Sequence, residues 1–387
     1  MIYVHVPFCK SFCIYCDFYS EIACDRDLTS YIDTLCKEAQ EKKEQILSTK
    51  DNNTLYIGGG TPSVMPLPFF EKLLKNLPLT DFEEFTVELN PEDVTSKGID
   101  YIKGLIDLGV SRFSMGVQSL DDKVLKWMNR RHNSKTAINA FEILRAAGAD
   151  NISLDLIFGV ASLKDASHEN IVGLESHKAL QESLRGIIGL NPEHISAYQL
   201  SIEDGSVLGR MVEKGQYSSL SDEQCEAQYH LICSELAKAG YEHYEISNWA
   251  RPGKRSKHNS AYWDRLPYVG LGPGAHSFLI TEDGTQMRMW NPSDIKVWSE
   301  KYKNHLNRTV SSRAKTEDSA KSDEHKSSKE KTFHEVLNAE QIKEEQIMLG
   351  LRKKEGIILD GKHLYIPEDK WFIADSIIAD LMLEIES

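Results

Sequence analysis

The residues with the plainest chemistry in this 387-residue chain are three thiols, Cys9, Cys13 and Cys16, in the stretch C-K-S-F-C-I-Y-C-D-F. A structural zinc site closes with four ligands, usually as paired short spacings. The sequence offers no second Cys-x-x-Cys or His pair to complete one. Three close cysteines suit an iron–sulfur cluster better, because a [4Fe–4S] cube held by three thiolates keeps its fourth iron open to a small chelating molecule. Zinc and unliganded thiols are the alternatives that spacing alone leaves.

Cys24, Cys36, Cys225 and Cys233 are scattered, and an odd total of 7 cysteines does not look like a disulfide framework. They read as small buried hydrophobes, and a reducing compartment would keep the clustered thiols available. The formal charge of −14 argues against a nucleic-acid binder, since phosphate contacts need dense Lys and Arg. No apolar run approaches the roughly 18 residues of a membrane span. Met1-Ile2-Tyr3-Val4-His5-Val6 lacks the charged start and apolar stretch of a signal peptide. A cytoplasmic protein is expected.

Six strand-like runs alternate with helical periodicity: Ile2-Val6, Thr54-Ile57, Phe85-Leu89, Arg112-Val117, Ile152-Phe158 and His194-Leu200. Helices are expected over 31–46, 68–77, 99–108, 121–129 and 134–147, and in a stretch ending near Gly189. Such alternation predicts an α/β fold with a parallel sheet and right-handed crossovers. Six units fall short of an eight-fold barrel, so the expectation is an open or partial barrel with ligands at the carboxyl ends of its strands. The cysteine loop follows the first strand, Gly58-Gly59-Gly60-Thr61-Pro62 the second, and Glu88 and Gln118 end the third and fourth. All would face one rim.

After about residue 200 the alternation loosens, with a helix near 221–239, a strand near 242–246 and a Gly- and aromatic-rich passage from His258 to His276. Residues 311–331 have no large apolar side chain and are expected to be a disordered loop. The division expected is 1–290 for the barrel and its extension and 291–387 for a small C-terminal domain, with a helix around 335–350. Gly270 to Ala275 superficially looks like a dinucleotide loop, but Pro273 and the lack of a following amphipathic helix argue against one.

Cys-x3-Cys-x2-Cys after one strand and Gly-Gly-Gly-Thr-Pro after the next are similar to the signature of radical S-adenosylmethionine (SAM) proteins. Longer stretches narrow the likeness: Tyr3 to Cys9, Tyr15-Cys16-Asp17-Phe18, Arg112 to Ser119, Glu245 to Asn248 and His258 to Phe278 resemble the branch that contains oxygen-independent coproporphyrinogen III oxidase and the haem chaperones. It spans 1–310 and 333–387. The resemblance implies a partial (β/α)6 TIM-like barrel of the radical SAM type.

Carried over residue by residue, it implies that Cys9, Cys13 and Cys16 bind the cluster and that SAM chelates the open iron. Tyr3 would pack near SAM, and Gly59 and Gly60 would let the backbone approach its methionine moiety. Glu88 would accept hydrogen bonds from the ribose hydroxyls or the ammonium. Tyr15, Thr61, Gln118, Arg130 and Asp155 match positions that contact a second SAM in the oxidase. His5 reads as a satisfied core residue of the first strand.

The departures favour the chaperones. The oxidase pattern has a further cysteine two residues beyond the third, where this chain has Phe18, and His258-Asn259-x-x-Tyr262-Trp263 is a stretch shared with the chaperone side. A neutral imidazole is a haem-iron ligand and aromatics stack on porphyrins, so His258 is the candidate haem contact. Residues 161–185 are longer than the corresponding family segment. The expected function is a non-enzymatic haem chaperone on an enzyme scaffold, binding a [4Fe–4S] cluster, SAM and haem and delivering haem to an acceptor such as a respiratory protein, with peripheral membrane association left open. The competing function is radical oxidative decarboxylation of coproporphyrinogen III. The sequence names neither the acceptor nor the oligomeric state.

Overall fold

A computed structural model describes residues 1–17, 19–22, 25–161, 176–302 and 333–386. Phe18, Cys24, most of the lengthened segment and the expected loop at 311–331 lie outside the described residues. The six expected strands are present as β1 (Ile2–Val6), β2 (Thr54–Gly59), β3 (Glu84–Leu89), β4 (Arg112–Gln118), β5 (Ile152–Phe158) and β6 (His194–Gln199). They pair in parallel in chain order.

Alternation along these strands sorts the two faces. Val4, Ile57, Val87, Met115, Leu154 and Ile195 belong to one buried apolar cluster that also takes in the flanking helices. Their neighbours on the other face are polar or charged, among them Tyr56, Glu88, Arg112, Ser114, Asp155 and Ser196. A period of two therefore yields an apolar outer layer under helices and a polar concave face.

Three further strands extend the sheet. β7 (Glu242–Glu245) and β8 (Asn248–Ala250) add an antiparallel pair beside β6, and β9 (Val269–Leu271) lies parallel to β1 at the other edge. The nine-stranded order β9-β1-β2-β3-β4-β5-β6-β8-β7 leaves the barrel open, as six units predict. β9 lies in the Gly- and aromatic-rich passage, where no strand was expected; Gly270 fits there because a Cβ would meet the His276 carbonyl oxygen at 2.0 Å. No helix follows it: β10 (His276–Ile280), β11 (Gln286–Trp290) and β12 (His334–Val336) form a separate antiparallel sheet.

Local signals place the helix ends. Asn133 caps Ser134–Ala147 by accepting from Thr136 N, and Gly148 closes it at φ 100°. Gly98, at φ 74°, breaks the expected 99–108 helix from the turn before it. The helix Lys257–Trp263 was not expected. Ser256 caps it, and Glu84 of β3 accepts from the Ser256 hydroxyl and the backbone N–H groups of Lys257 and His258 at 3.3, 2.9 and 3.0 Å. A carboxylate at a helix amino end is favoured by the exposed N–H groups and the helix dipole. The C-terminal residues Ile347, Leu351, Trp371 and Ile378 join the barrel's apolar cluster.

One buried charge ties the closing segments to the first helix, Asp25–Glu41. Glu38, fully buried, accepts from Asn291 Nδ2 at 2.6 Å, Gly272 N at 2.8 Å, Trp298 Nε1 at 2.9 Å and the Tyr302 hydroxyl at 3.0 Å, and pairs with Lys42 at 2.7 Å. Removing one partner of a buried charge network costs about 3–5 kcal/mol. Glu38→Ala is therefore expected to lower the unfolding free energy from denaturant titration by an amount in that range, with the thiol loop's own contacts unchanged; a loss within about 0.5 kcal/mol would show that this buried tie carries no weight.

Candidate functional site

A cavity of ≈ 460 Å³ occupies the concave face and opens at the carboxyl ends of the strands. Cys9, Cys13 and Cys16 all line it, and none of the described cysteines is in a disulfide. The thiol loop is fixed from several sides. Lys10 Nζ pairs with the buried Asp93 at 2.6 Å, Asn129 Nδ2 donates to Phe12 O at 2.6 Å, and Leu208 N donates to Ile14 O at 2.8 Å.

Polar side chains from neighbouring loops reach the sulfurs. The Thr61 hydroxyl lies 3.4 Å from Cys9 Sγ, and Arg130 Nη1 lies 3.5 Å from Cys13 Sγ. Asn90 joins the two: its Nδ2 donates to Thr61 at 3.2 Å and its Oδ1 accepts from Arg130 Nη2 at 2.8 Å. Arg130 also donates to Gly116 O at 2.8 Å. Burial pushes the Cys9 thiol up from its ordinary value, with Thr61 working the other way.

The sulfurs do not close on a point, since among the described residues no three His, Cys, Asp or Glu side chains converge enough to hold a single metal ion. A cube that takes each thiolate on a different iron fits such a wall, and the Arg130 guanidinium suits the negative charge of thiolate sulfur.

Gly59 and Gly60 line the same cavity, but the structure gives another reason for them. Gly59 has φ 110°, and a Cβ there would meet His5 Nδ1 at 2.6 Å; a Cβ on Gly60 would lie 2.9 Å from Phe8 O and 3.1 Å from Cys9 Sγ. The close approach is to the protein's own backbone, ring and thiol. His5 has both nitrogens occupied, Nδ1 accepting from Tyr3 and Nε2 donating to Tyr19 O, each at 3.1 Å. It is the satisfied strand histidine the sequence suggested.

Glu88 accepts from the Tyr56 hydroxyl at 2.7 Å and Gly59 N at 3.0 Å. Packing around it raises its carboxyl to about 7, with the Tyr56 hydrogen bond opposing and the Asp155 charge adding. Asp155 is raised to about 6 by burial, against the pull of Arg112 and of the Ser196 and Ser114 hydroxyls. Gln118, at φ 66°, ends β4 in the left-handed region where the register with β5 shifts; such local strain is held only where surroundings fix it. Tyr15, Thr61, Arg130 and Asp155 also line the cavity.

Two expected residues stand apart. Tyr3 packs on Tyr56 at a centroid distance of 6.2 Å, so Tyr56 separates it from the cavity wall. His258 was expected in a loop and lies in a helix, fully buried, with Nδ1 2.8 Å from the Thr54 hydroxyl and Nε2 3.1 Å from the Tyr262 hydroxyl. Burial lowers its pKa to about 3, so the ring is neutral. In this conformation no nitrogen of His258 is free for a haem iron. Sequence reasoning missed Tyr56, Asn90, Arg112, Ser114 and Ser196; the strand period of two would have found four of them, Tyr56, Arg112, Ser114 and Ser196, each an even number of residues from Glu88, Gln118 or Asp155 on its own or an adjacent registered strand.

The raised carboxyls set a pH dependence. Glu88 at about 7, Asp155 at about 6 and Glu245, raised by burial to about 7, keep their protons in the folded state to higher pH than in the unfolded chain. Their stabilising contribution is complete below the unfolded values of 4.5 and 3.8 and is lost as pH rises through the folded ones. The buried imidazoles of His5, His194 and His258, held low by burial, act in the opposite sense, so the expected readout is a difference between proteins: relative to wild type, Glu88→Gln removes up to one proton of stability loss between about pH 4.5 and pH 7. Parallel profiles for the two proteins would show that Glu88 is not a raised group.

Residues 3–174 match the Radical SAM superfamily. Over 362 residues the chain is 33% identical to the haem chaperone HemW of Bacillus subtilis (strain 168), covering 92% of this chain and 84% of that one. It is 32% identical to the HemW of Lactococcus lactis subsp. lactis (strain IL1403), covering 92% and 83%. Among solved structures, coproporphyrinogen III oxidase (HemN) from Escherichia coli, described as a radical SAM enzyme, superposes with a TM-score of 0.72 at 16% identity, over 98% of this chain and 88% of that chain. The fold is shared with that enzyme. The chain belongs to the radical SAM superfamily, in the branch that holds HemN and the haem chaperone HemW.

Proposed function

We propose that the chain carries a [4Fe–4S] cluster on Cys9, Cys13 and Cys16, binds SAM at the open iron, and takes up haem to pass it to an acceptor protein, with a respiratory haem protein as the acceptor class. The observation that carries the reading is the wall of three thiols facing Glu88, Gln118 and Asp155 across one cavity. Likeness over 92% of the chain to proteins named haem chaperones supports the haem part. In the same proposal residues 1–290 are the barrel with its extension, and 291–387 the C-terminal unit.

Each residue has a defined task in this reading. Thr61 and Arg130 hold the sulfurs and offset their charge. Glu88 accepts from the ribose hydroxyls or the ammonium of SAM, and the adjacent Gly59 and Gly60 let the chain pack against His5 and Cys9 so that their backbone lines the ligand site. Tyr15, Gln118 and Asp155 hold the remaining groups. Bound there, cluster and SAM supply one-electron chemistry, while the protein binds, orients and excludes water. His258 acts as a support: it packs on Tyr56 at 5.1 Å, and Tyr56 holds Glu88.

The sequence element that separates this function from porphyrinogen decarboxylation is Phe18, in place of the further cysteine of the oxidase pattern. Anaerobic reconstitution is expected to load about four irons and four sulfides per chain, with loss of the cluster in a folded Cys13→Ala protein. The loaded protein should give a Soret band with haem, yield that haem to an apo haem protein, and form no protoporphyrinogen from coproporphyrinogen III, SAM and reductant. Stoichiometric conversion to protoporphyrinogen would overturn the chaperone reading, and retention of iron and sulfide in Cys13→Ala would overturn the cluster assignment.

A further inference from the structure

β4 turns Arg112, Ser114, Gly116 and Gln118 toward the cavity, one at every second position, and all four line it. Gln118 stands at the rim and Arg112 opens the strand, about 20 Å back along it at roughly 3.3 Å per residue. The cavity thus runs from the thiol loop toward the amino-terminal end of the barrel.

Arg112 is 1% exposed, and among the described residues neither its Nε nor its Nη1 has a hydrogen-bond partner. A guanidinium keeps its charge in proteins and carries five N–H donors in a rigid fork. Buried charges of that kind are ordinarily paired. The two carboxylates that share the cavity feel the Arg112 charge but take their hydrogen bonds from other donors: Glu88 from the Tyr56 hydroxyl and Gly59 N, and Asp155 from the Ser114 hydroxyl at 3.4 Å. Arg130, the other guanidinium of the cavity, is held by Asn90 and Gly116 O beside Cys13. Arg112 is therefore a buried cation with donors to spare on a cavity wall, away from the thiols.

We propose that Arg112 receives a carboxylate of a ligand that reaches through the cavity toward the base of the barrel. A planar fork on a cavity wall matches a carboxylate through two parallel N–H···O bonds. Two carboxylates are in play if the proposed function holds: the amino-acid carboxylate of SAM and the propionates of haem. The inference rests on that function for the choice between them. SAM would hold the open iron with its amino-acid end beside Cys9, Cys13 and Cys16, so the propionate is the source that the separation of Arg112 from the thiols favours.

The test compares haem with its dimethyl ester, and both with SAM, on the cluster-loaded full chain carrying wild-type Arg112, Arg112→Gln or Arg112→Lys. Wild type should bind the diacid at least about tenfold more tightly than the ester, a charge-assisted pair being lost on esterification. That preference should vanish in Arg112→Gln and return in part in Arg112→Lys, with SAM affinity changing by much less than the acid-to-ester ratio. If diacid and ester bind alike while Arg112→Gln weakens SAM about tenfold, the carboxylate site stands and its occupant is SAM. If diacid and ester bind alike to wild type and SAM binds alike to wild type and Arg112→Gln, the inference is overturned, and Arg112 is an internal charge solvated by water. Should Arg112→Gln fail to fold, the wild-type acid-to-ester ratio and Arg112→Lys decide. A wild type that binds SAM but neither form of haem overturns the haem function and leaves Arg112 to be judged on SAM alone.

Discussion

Glu88, Arg112 and Asp155 share the concave face of one parallel sheet, and the rest of the molecule is organised around keeping them there. Sheets covered by helices are usually apolar on both faces, and barrel interiors are ordinarily packed with branched side chains. Here the outer face alone carries the apolar layer. Moving an ionised group from water into such a place costs several kcal/mol unless partners replace the water. The two carboxyls respond by holding their protons to higher pH, and their hydrogen bonds to Tyr56, Gly59 and Ser114 recover part of the cost. The remaining stability has to come from outside the cavity, from the helix layer and from buried ties such as Glu38.

The thiol wall depends on the same interior. Cys9, Cys13 and Cys16 sit on a loop with little secondary structure, whose own backbone could not hold three sulfurs in place. Asn90 supplies order from the end of β3, binding Thr61 and Arg130 at once, and those two reach Cys9 and Cys13. An amide with one donor and one acceptor in use has a fixed orientation. Cys9 and Cys13 are thereby tied through Asn90 to the end of β3.

Much of this was legible in the sequence because strand period and motif position are local properties. The six strands, the open barrel and the convergence of Cys9, Gly59, Glu88 and Gln118 on one rim all follow from alternation and from loops at carboxyl ends, whereas Asp155 lies mid-strand in β5, deeper in the cavity. β9 and the helix at 257–263 were missed because neither carries its own period: β9 has three residues, and the helix depends on Ser256 and on Glu84, far away in the chain. Arg112 was missed for a different reason. It was read as part of a resembling stretch, although its parity with Gln118 already placed it on the cavity face.

His258 shows how a motif residue can matter to a site without touching it. Its ring lies 5.1 Å from that of Tyr56, and the Tyr56 hydroxyl donates to Glu88 at 2.7 Å. Thr54, which bonds its Nδ1, belongs to the same strand as Gly59. Replacing the imidazole by a methyl group would leave two buried hydroxyls short of a partner and remove the packing behind Tyr56. A weaker Soret band in such a variant is therefore what either ligation or a displaced Glu88 would give. The two separate on SAM: a lost iron ligand leaves SAM binding intact, whereas a displaced Tyr56 and Glu88 weakens SAM and haem together. The hydrogen bonds of the buried ring favour the second outcome.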